Sequence, residues 1–195
     1  FKIVTASAGL ENGLITPETI INCERGSFNP YGHRIRDHHA MAEAPFWECF
    51  TQSSNIAMIK VAAMLGPEKM ENWIVRFGFG QKATKDIVHE SKGLFRPIKD
   101  WSRLTMGSLP IGQEIAVNIV QLARAFSAIA NGGSLVEPYL VERVMDRDGV
   151  VVQQHELKAP EQIMSPKTAE TMRELCYQVV AKGTGKRANI PRSEE

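Results

Sequence analysis

The sequence predicts a mixed α/β fold, mostly helical: several helices, then a β-hairpin, then a last helix. Three observations carry this prediction. Apolar residues recur at three- and four-residue intervals in most segments before Asn131. The clearest strand-like runs lie around Tyr139–Val152, on either side of the turn chemistry Asp146-Arg147-Asp148-Gly149. Helix punctuation (Ser, Asn, Gly and Pro) falls between the periodic segments.

The elements follow in order. Residues 2–10 suit a helix, stopped by Gly9 and by Asn12-Gly13. Residues 11–40 are turn-rich, with one short strand expected near Thr19-Ile20-Ile21. Helical character returns at 41–50, and Thr51-Gln52-Ser53-Ser54-Asn55 interrupts it. Residues 56–65 are apolar nearly all round, the pattern of a buried helix. Gly66-Pro67 ends it and opens another, with Met70, Trp73, Ile74 and Phe77 as its stripe; Gly78 and Gly80 stop that one. Residues 81–114 read as loop. Asn118 caps the next helix with Gln121 as its box partner, and Ile119, Leu122, Phe126 and Ile129 are expected to form its buried stripe. Ser165-Pro166 opens the last helix, with Met172, Leu175, Cys176 and Val179 inward, and Gly183 ends it.

Composition excludes several classes. With 195 residues, 43% hydrophobic and 23% charged, the chain can build a real core, which argues against disorder. A net charge of +1 lacks the basic excess of a nucleic-acid binder, so no nucleic-acid partner is expected. No apolar run approaches the roughly 20 residues needed to span a bilayer. Cys23, Cys49 and Cys176 are odd in number and far apart in sequence, so buried or idle thiols are expected rather than a disulfide framework. The chain opens Phe1-Lys2-Ile3 without Met, as if inside a helix, so it is expected to be a piece of a longer protein.

Several motifs fail on context. Gly78-Phe79-Gly80-Gln81-Lys82-Ala83 fits G-x-G-x-x-A, but a helix precedes it where a dinucleotide site needs a strand. Gly185-Lys186 lacks the rest of a P-loop. His33, His38 and His39, with Asp37 among them, lack helical ligand spacing and read as a solvated loop; His89 and His155 have no assigned role. No G-x-S-x-G elbow marks a serine triad.

One constellation carries chemistry. Lys2 stands in the first turn of a helix, and Ser53-Ser54-Asn55 sits in a break between two helices. A buried lysine loses basicity and can take a proton from a serine hydroxyl. A second serine can pass that proton on, and an Asn offers donor and acceptor to a substrate amide. On these residues alone, helix capping by Ser53 and Asn55 accounts for the motif as well.

A resemblance adds to this reading. Phe1-Lys2-Ile3-Val4-Thr5-Ala6 resembles the tail of the S-x-x-K segment of penicillin-binding proteins, and Ser53-Ser54-Asn55 resembles their S-x-N motif. The Lys2 to Ser53 distance is similar to that in the class B, division-type members. Gly112-Gln113-Glu114 through Ala125, with Asn131-Gly132-Gly133, is similar to a further family stretch; Asp146–Gly149 resembles its hairpin, and Gly183-Thr184-Gly185 the turn before its K-T-G strand. The match is collinear over essentially the whole chain.

The resemblance implies a transpeptidase fold of the serine β-lactamase-like type: a helical subdomain plus part of an antiparallel sheet, with residues 1–195 one partial domain. It implies an enzyme that cross-links peptidoglycan through an acyl-enzyme, with Lys2 as base, Ser53 as proton shuttle and Asn55 binding the stem peptide. The nucleophilic serine would precede Lys2 by three residues and the K-T-G strand would follow Glu195, so this piece alone is expected to be inactive. The implied partners are peptidoglycan stem peptides, β-lactams, and division or elongation membrane proteins. No metal or cofactor is implied, and the implied place is the extracytoplasmic face of the membrane, by an anchor outside this chain. The departure at Asn118-Ile119, where the family has Thr-Pro, keeps the cap. A carboxypeptidase, a β-lactam sensor and a non-catalytic division scaffold stay open as alternatives.

Overall fold

A computed structural model describes residues 1–190. Its centre is α3 (Asn55–Leu65), the helix apolar on every side: Ile56, Ala57, Met58, Ile59, Val61 and Ala62 are all buried. Burying such a helix needs neighbours around it. Helices α1 (Lys2–Glu11), α2 (Phe46–Thr51) and α4 (Pro67–Arg76) supply them. Then α6 (Ile119–Ala130) and α7 (Pro166–Ala181) extend the helical core, with α7 touching α1, α2 and α6. A short α5 (Thr105–Ser108) closes one side of α3.

Gly9 does not stop α1. It lies inside the helix, where a Cβ would come within 2.6 Å of Val61 Cγ1. The residue lets α1 and α3 approach closely; the helix ends two residues later, with Asn12 as its C-cap. Gly66 takes φ 85° between α3 and α4, and Pro67 opens α4, as the sequence predicts. Beyond α4, Gly78 and Gly80 both adopt positive φ, consistent with a helix end rather than a phosphate loop.

The strands form two-stranded antiparallel ribbons among the described residues. β1 (Ile20–Asn22) pairs with β4 (Glu43–Pro45), and β2 (Ser27–Phe28) with β3 (Ile35–Arg36). Residues 11–40 therefore hold more strand than the single one expected, and residues 43–45 are strand where helix is expected. Each strand is only two or three residues long, too short for period-two alternation to register. β5 (Ser134–Leu135) pairs with β8 (Glu161–Gln162). The hairpin of β6 (Arg143–Met145) and β7 (Val151–Gln154) turns at Asp146–Gly149, as expected, with a register shift at Val144/Met145. Every residue of this hairpin is exposed, its valines included.

The buried stripe of α6 is also corrected. Asn118 and Gln121 form the full capping box. Yet Ile119 is 77% exposed and Phe126 50% exposed, while Gln121, Ala125, Ala128 and Ile129 are buried. Ile129 is thus buried as expected, and Gln121 is buried because its amide donates to the carbonyls of Gln81 (2.7 Å) and Lys92 (3.0 Å). The turn at residues 183–185 follows α7, and the run from Pro191 to Glu195 lies outside the described residues.

Candidate active site

Lys2 opens α1, and its half-buried side chain reaches across to the loop between α2 and α3. There its Nζ donates to the Ser53 Oγ at 2.9 Å and to the Ser53 carbonyl oxygen. The two residues are 51 positions apart in sequence, and the contact of α1 with α3 brings them together. Burial holds the Lys2 amine down to about 8 from its ordinary 10.5, with the charge of Asp37 acting in the opposite sense. An amine in that range has a minor neutral fraction at neutral pH that reaches half near pH 8, the form a proton acceptor needs.

The loop that presents Ser53 is held on both sides. Ser53 N–H donates to the Phe50 carbonyl and Ser54 N–H to the Cys49 carbonyl, so the end of α2 folds directly into the turn. Ser53 itself adopts φ 58°, a left-handed conformation costly for a non-glycine residue. Such strain persists only where the surroundings impose it, and it often accompanies function. The capping role falls to Ser54, not to Ser53 or Asn55. Ser54 Oγ accepts from the Ala57 N–H at 3.0 Å at the start of α3. Ser53 is thereby left to Lys2. Asn55 is the first residue of α3, and its Nδ2 donates to the Arg36 carbonyl at 2.9 Å. The structure thus joins Lys2 to Ser53 and ties Asn55 to β3 rather than to either of them.

Asp37 escapes the sequence analysis, which leaves it in a solvated histidine-rich loop. One carboxylate oxygen accepts from Ser54 Oγ at 2.6 Å; the other accepts from the N–H groups of Asn55 (2.5 Å) and Ile56 (3.1 Å). A carboxylate on the first amides of a helix satisfies otherwise orphaned donors and complements the helix dipole. Asp37 therefore fixes the start of α3, and with it the turn carrying Ser53. It lies 17 residues before Ser54, and no local spacing pattern signals the contact.

The third wall is the segment 109–114. Thr5 Oγ1, on α1, donates to the buried Pro110 carbonyl at 2.9 Å. Gly112 has φ +92° and a Cβ there would sit 2.7 Å from the Phe1 Cβ, so only glycine lets this turn rest beside Lys2. Glu114 accepts from Ser108 Oγ, from Thr105 Oγ1 (3.1 Å) and from Arg96 (2.8 Å), which anchors the turn to α5. On the far side, the turn after α7 packs against the end of α2: a Cβ on Gly183 would lie 2.2 Å from the Thr51 carbonyl oxygen, to which Thr184 N–H donates at 3.3 Å.

A half-buried lysine of lowered pKa hydrogen-bonded to a serine in a strained turn is an arrangement suited to moving a proton to or from a hydroxyl. The family model of the penicillin binding protein transpeptidase domain matches residues 1–194. The chain is 33% identical over 200 residues to the penicillin-binding protein PbpB of Mycolicibacterium smegmatis, covering 97% of this chain and 30% of that protein. It is 31% identical to the stage V sporulation protein D of Bacillus subtilis, again over 97% of this chain and 30% of the relative. Among solved structures, penicillin binding protein 3 of Mycobacterium tuberculosis complexed with aztreonam superposes with a TM-score of 0.88 at 31% identity, covering 97% of this chain and 44% of that one. The chain belongs to the penicillin-binding-protein transpeptidase family. It spans about a third of the length of the curated relatives it matches.

Proposed function

We propose that this chain is the part of a peptidoglycan D,D-transpeptidase that holds its general base and proton shuttle. The hydrogen bond from Lys2 Nζ to Ser53 Oγ carries the reading. In this mechanism the nucleophilic serine stands three residues before Lys2 in the parent protein, on the same face of α1. The neutral Lys2 amine takes the serine proton as the serine attacks the carbonyl of a D-Ala-D-Ala stem. Ser53, within hydrogen-bond reach of the resulting ammonium, relays a proton to the departing D-Ala amine. An acceptor amine from a second stem then releases the acyl group by the same relay reversed. Asn55 is proposed to receive the stem peptide, giving up its amide bond to the Arg36 carbonyl, and a β-lactam would acylate the same serine. The K-T-G strand is proposed to follow Glu195.

The same reading places the parent protein on the extracytoplasmic face of the membrane, with an anchor outside this chain and division or elongation proteins as its neighbours. Among residues 1–190, no helix is long and apolar enough to cross a membrane.

The test is turnover. The full-length parent, given a stem pentapeptide and an acceptor amine, should yield a cross-linked peptide together with free D-Ala. Release of D-Ala with no cross-linked product would replace the transpeptidase with a carboxypeptidase. A penicilloyl-enzyme persisting for hours with no peptide turnover would point to a sensor.

A further inference from the structure

Cys23 and Cys49 are 26 residues apart in sequence and adjacent in space. Their sulfurs lie 3.5 Å apart, both fully buried. Cys23 directly follows β1, and Cys49 lies in α2, which continues from β4, the partner of β1. The two sulfurs thus face each other across a junction that the β1–β4 pairing itself aligns. Their other polar contacts are weak: Cys23 Sγ donates to the Ile21 carbonyl at 3.7 Å, and Cys49 Sγ to the Ala44 carbonyl at 3.6 Å. Ser54 Oγ is 3.8 Å from Cys23 Sγ, but its single proton is committed to Asp37 at 2.6 Å. Neither thiol is therefore held by a strong partner other than its neighbour.

We propose that Cys23 and Cys49 are a disulfide-forming pair that fastens the β1–β4 ribbon to the platform under the Ser53 turn. Bonding closes the sulfur separation from 3.5 Å to about 2.05 Å. The oxidant required is a disulfide of the glutathione class or a dithiol oxidoreductase in its oxidised form. One cysteine thiolate attacks a sulfur of that donor, forming a mixed disulfide and expelling a thiolate. The second cysteine attacks the mixed disulfide, forms the Cys23–Cys49 bond and expels the second thiolate. The protein loses two electrons and two protons; the donor gains both and leaves as two thiols. Because both sulfurs are buried in the fold, exchange takes place while this region is still opening and closing during folding. The extracytoplasmic location proposed above would supply such a donor, but the pairing does not rest on it. Of the three cysteines in this sequence the pairing leaves Cys176, on α7, which burial holds up to about 11 and so keeps as a thiol.

The test uses the full-length parent protein, unfolded and refolded in buffers with rising ratios of glutathione disulfide to glutathione. Samples are acid-quenched, alkylated in denaturant and digested without reduction. The expected result is a protein about 2 Da lighter, a peptide linking Cys23 to Cys49, and alkylation at Cys176. Alkylation of both Cys23 and Cys49 at the most oxidising ratio overturns the proposal, as does a link from either of them to Cys176. A Cys176→Ser variant, which removes that competitor, should give the same Cys23–Cys49 link. The linked form should also melt about 5–10 °C higher than its reduced counterpart; a lower melting temperature would mean that the bond distorts the fold, and would overturn the pair as a fastening.

Discussion

At the residue scale, two side chains decide how the Ser53 turn works. Lys2 is held near 8 by burial, so its acceptor form is reached at the upper end of the physiological range. Penicillin acylation of the parent should therefore rise with pH through about 8 and level off above it; a flat profile from pH 6 to 9 would count against Lys2 as base. The sign for stability follows the same shift. Below pH 8, Lys2 is charged in both the folded and unfolded states, and the fold carries the cost of burying that charge. Between 8 and 10.5 the unfolded chain binds the proton that the folded one has lost, so the contribution of Lys2 to stability falls below pH 8 to a fixed penalty and is relieved as pH climbs. Relative to that penalised state, stability rises with pH because the unfolded state binds more protons across the window. Asp37 acts through the helix it caps. Asp37→Asn keeps the shape but weakens three hydrogen bonds, and should cost about 1–2 kcal/mol of stability. If Asp37 positions the turn, acylation should also slow, and by more than Ser54→Ala slows it. A thermal melt and a rate measured on the same preparation separate the two effects. The reach of Asp37 to Ser54 is not legible in the sequence, because a contact across 17 residues of loop leaves no periodic trace. Lys2 and Ser53 are legible from the residues only as types; the approach of α1 to α3 makes them a pair.

At the element scale, the helices are legible where one side of the pattern is unambiguous. The all-apolar α3 and the capping box of α6 are signals that local chemistry sets by itself. The pattern misleads on α6, where the largest apolar side chains read as the inner face. Ile129 is buried and Leu122 partly so, as expected, but Ala125 and Ala128 are buried while Ile119 and Phe126 are exposed. Size and burial are separable, and the test is direct. Ala128→Leu should destabilise by about 1–3 kcal/mol through overpacking, whereas Phe126→Ser, on the exposed side, should stay within about 0.5 kcal/mol. The reverse order in urea melts would restore the stripe expected from sequence. The turn after α7 offers a second check. Gly183→Ala would drive a Cβ onto the Thr51 carbonyl and should shift the end of α2, which leads into the Ser53 turn. Lowered acylation with an intact helical signal is the expected outcome; an unchanged rate would uncouple the two segments.

At the scale of the whole molecule, a helical core is joined to strands that pair only two by two among the described residues. The β6–β7 hairpin shows what that leaves uncovered: Val144, Met145, Val150, Val151 and Val152 all stand at least 41% exposed. An isolated ribbon of this kind is marginal and invites edge pairing. Residues 1–195 expressed alone should aggregate, and Val150→Lys with Val152→Lys should reduce aggregation without moving the melting temperature of the helical core. Light scattering alongside a melt decides it; a soluble monomer without the changes would contradict this reading of the hairpin. The hairpin is legible from its turn and the apolar runs on either side of it, whereas the miniature ribbons at residues 20–45 are not, because strands of two or three residues are set by the core they lie on.

Lys2 and Ser53 are proposed to belong to an acylation centre whose nucleophile stands one helical turn before Lys2. Intact mass of the full-length parent after exposure to a penicillin, with peptide mapping of the adduct, tests this most directly. The expected result is a single penicilloyl group on a serine three positions before Lys2, absent in the Lys2→Ala variant. A folded parent that takes up no adduct, or takes it up unchanged without Lys2, would contradict it and leave the Lys2–Ser53 bond as a structural tie between α1 and the turn.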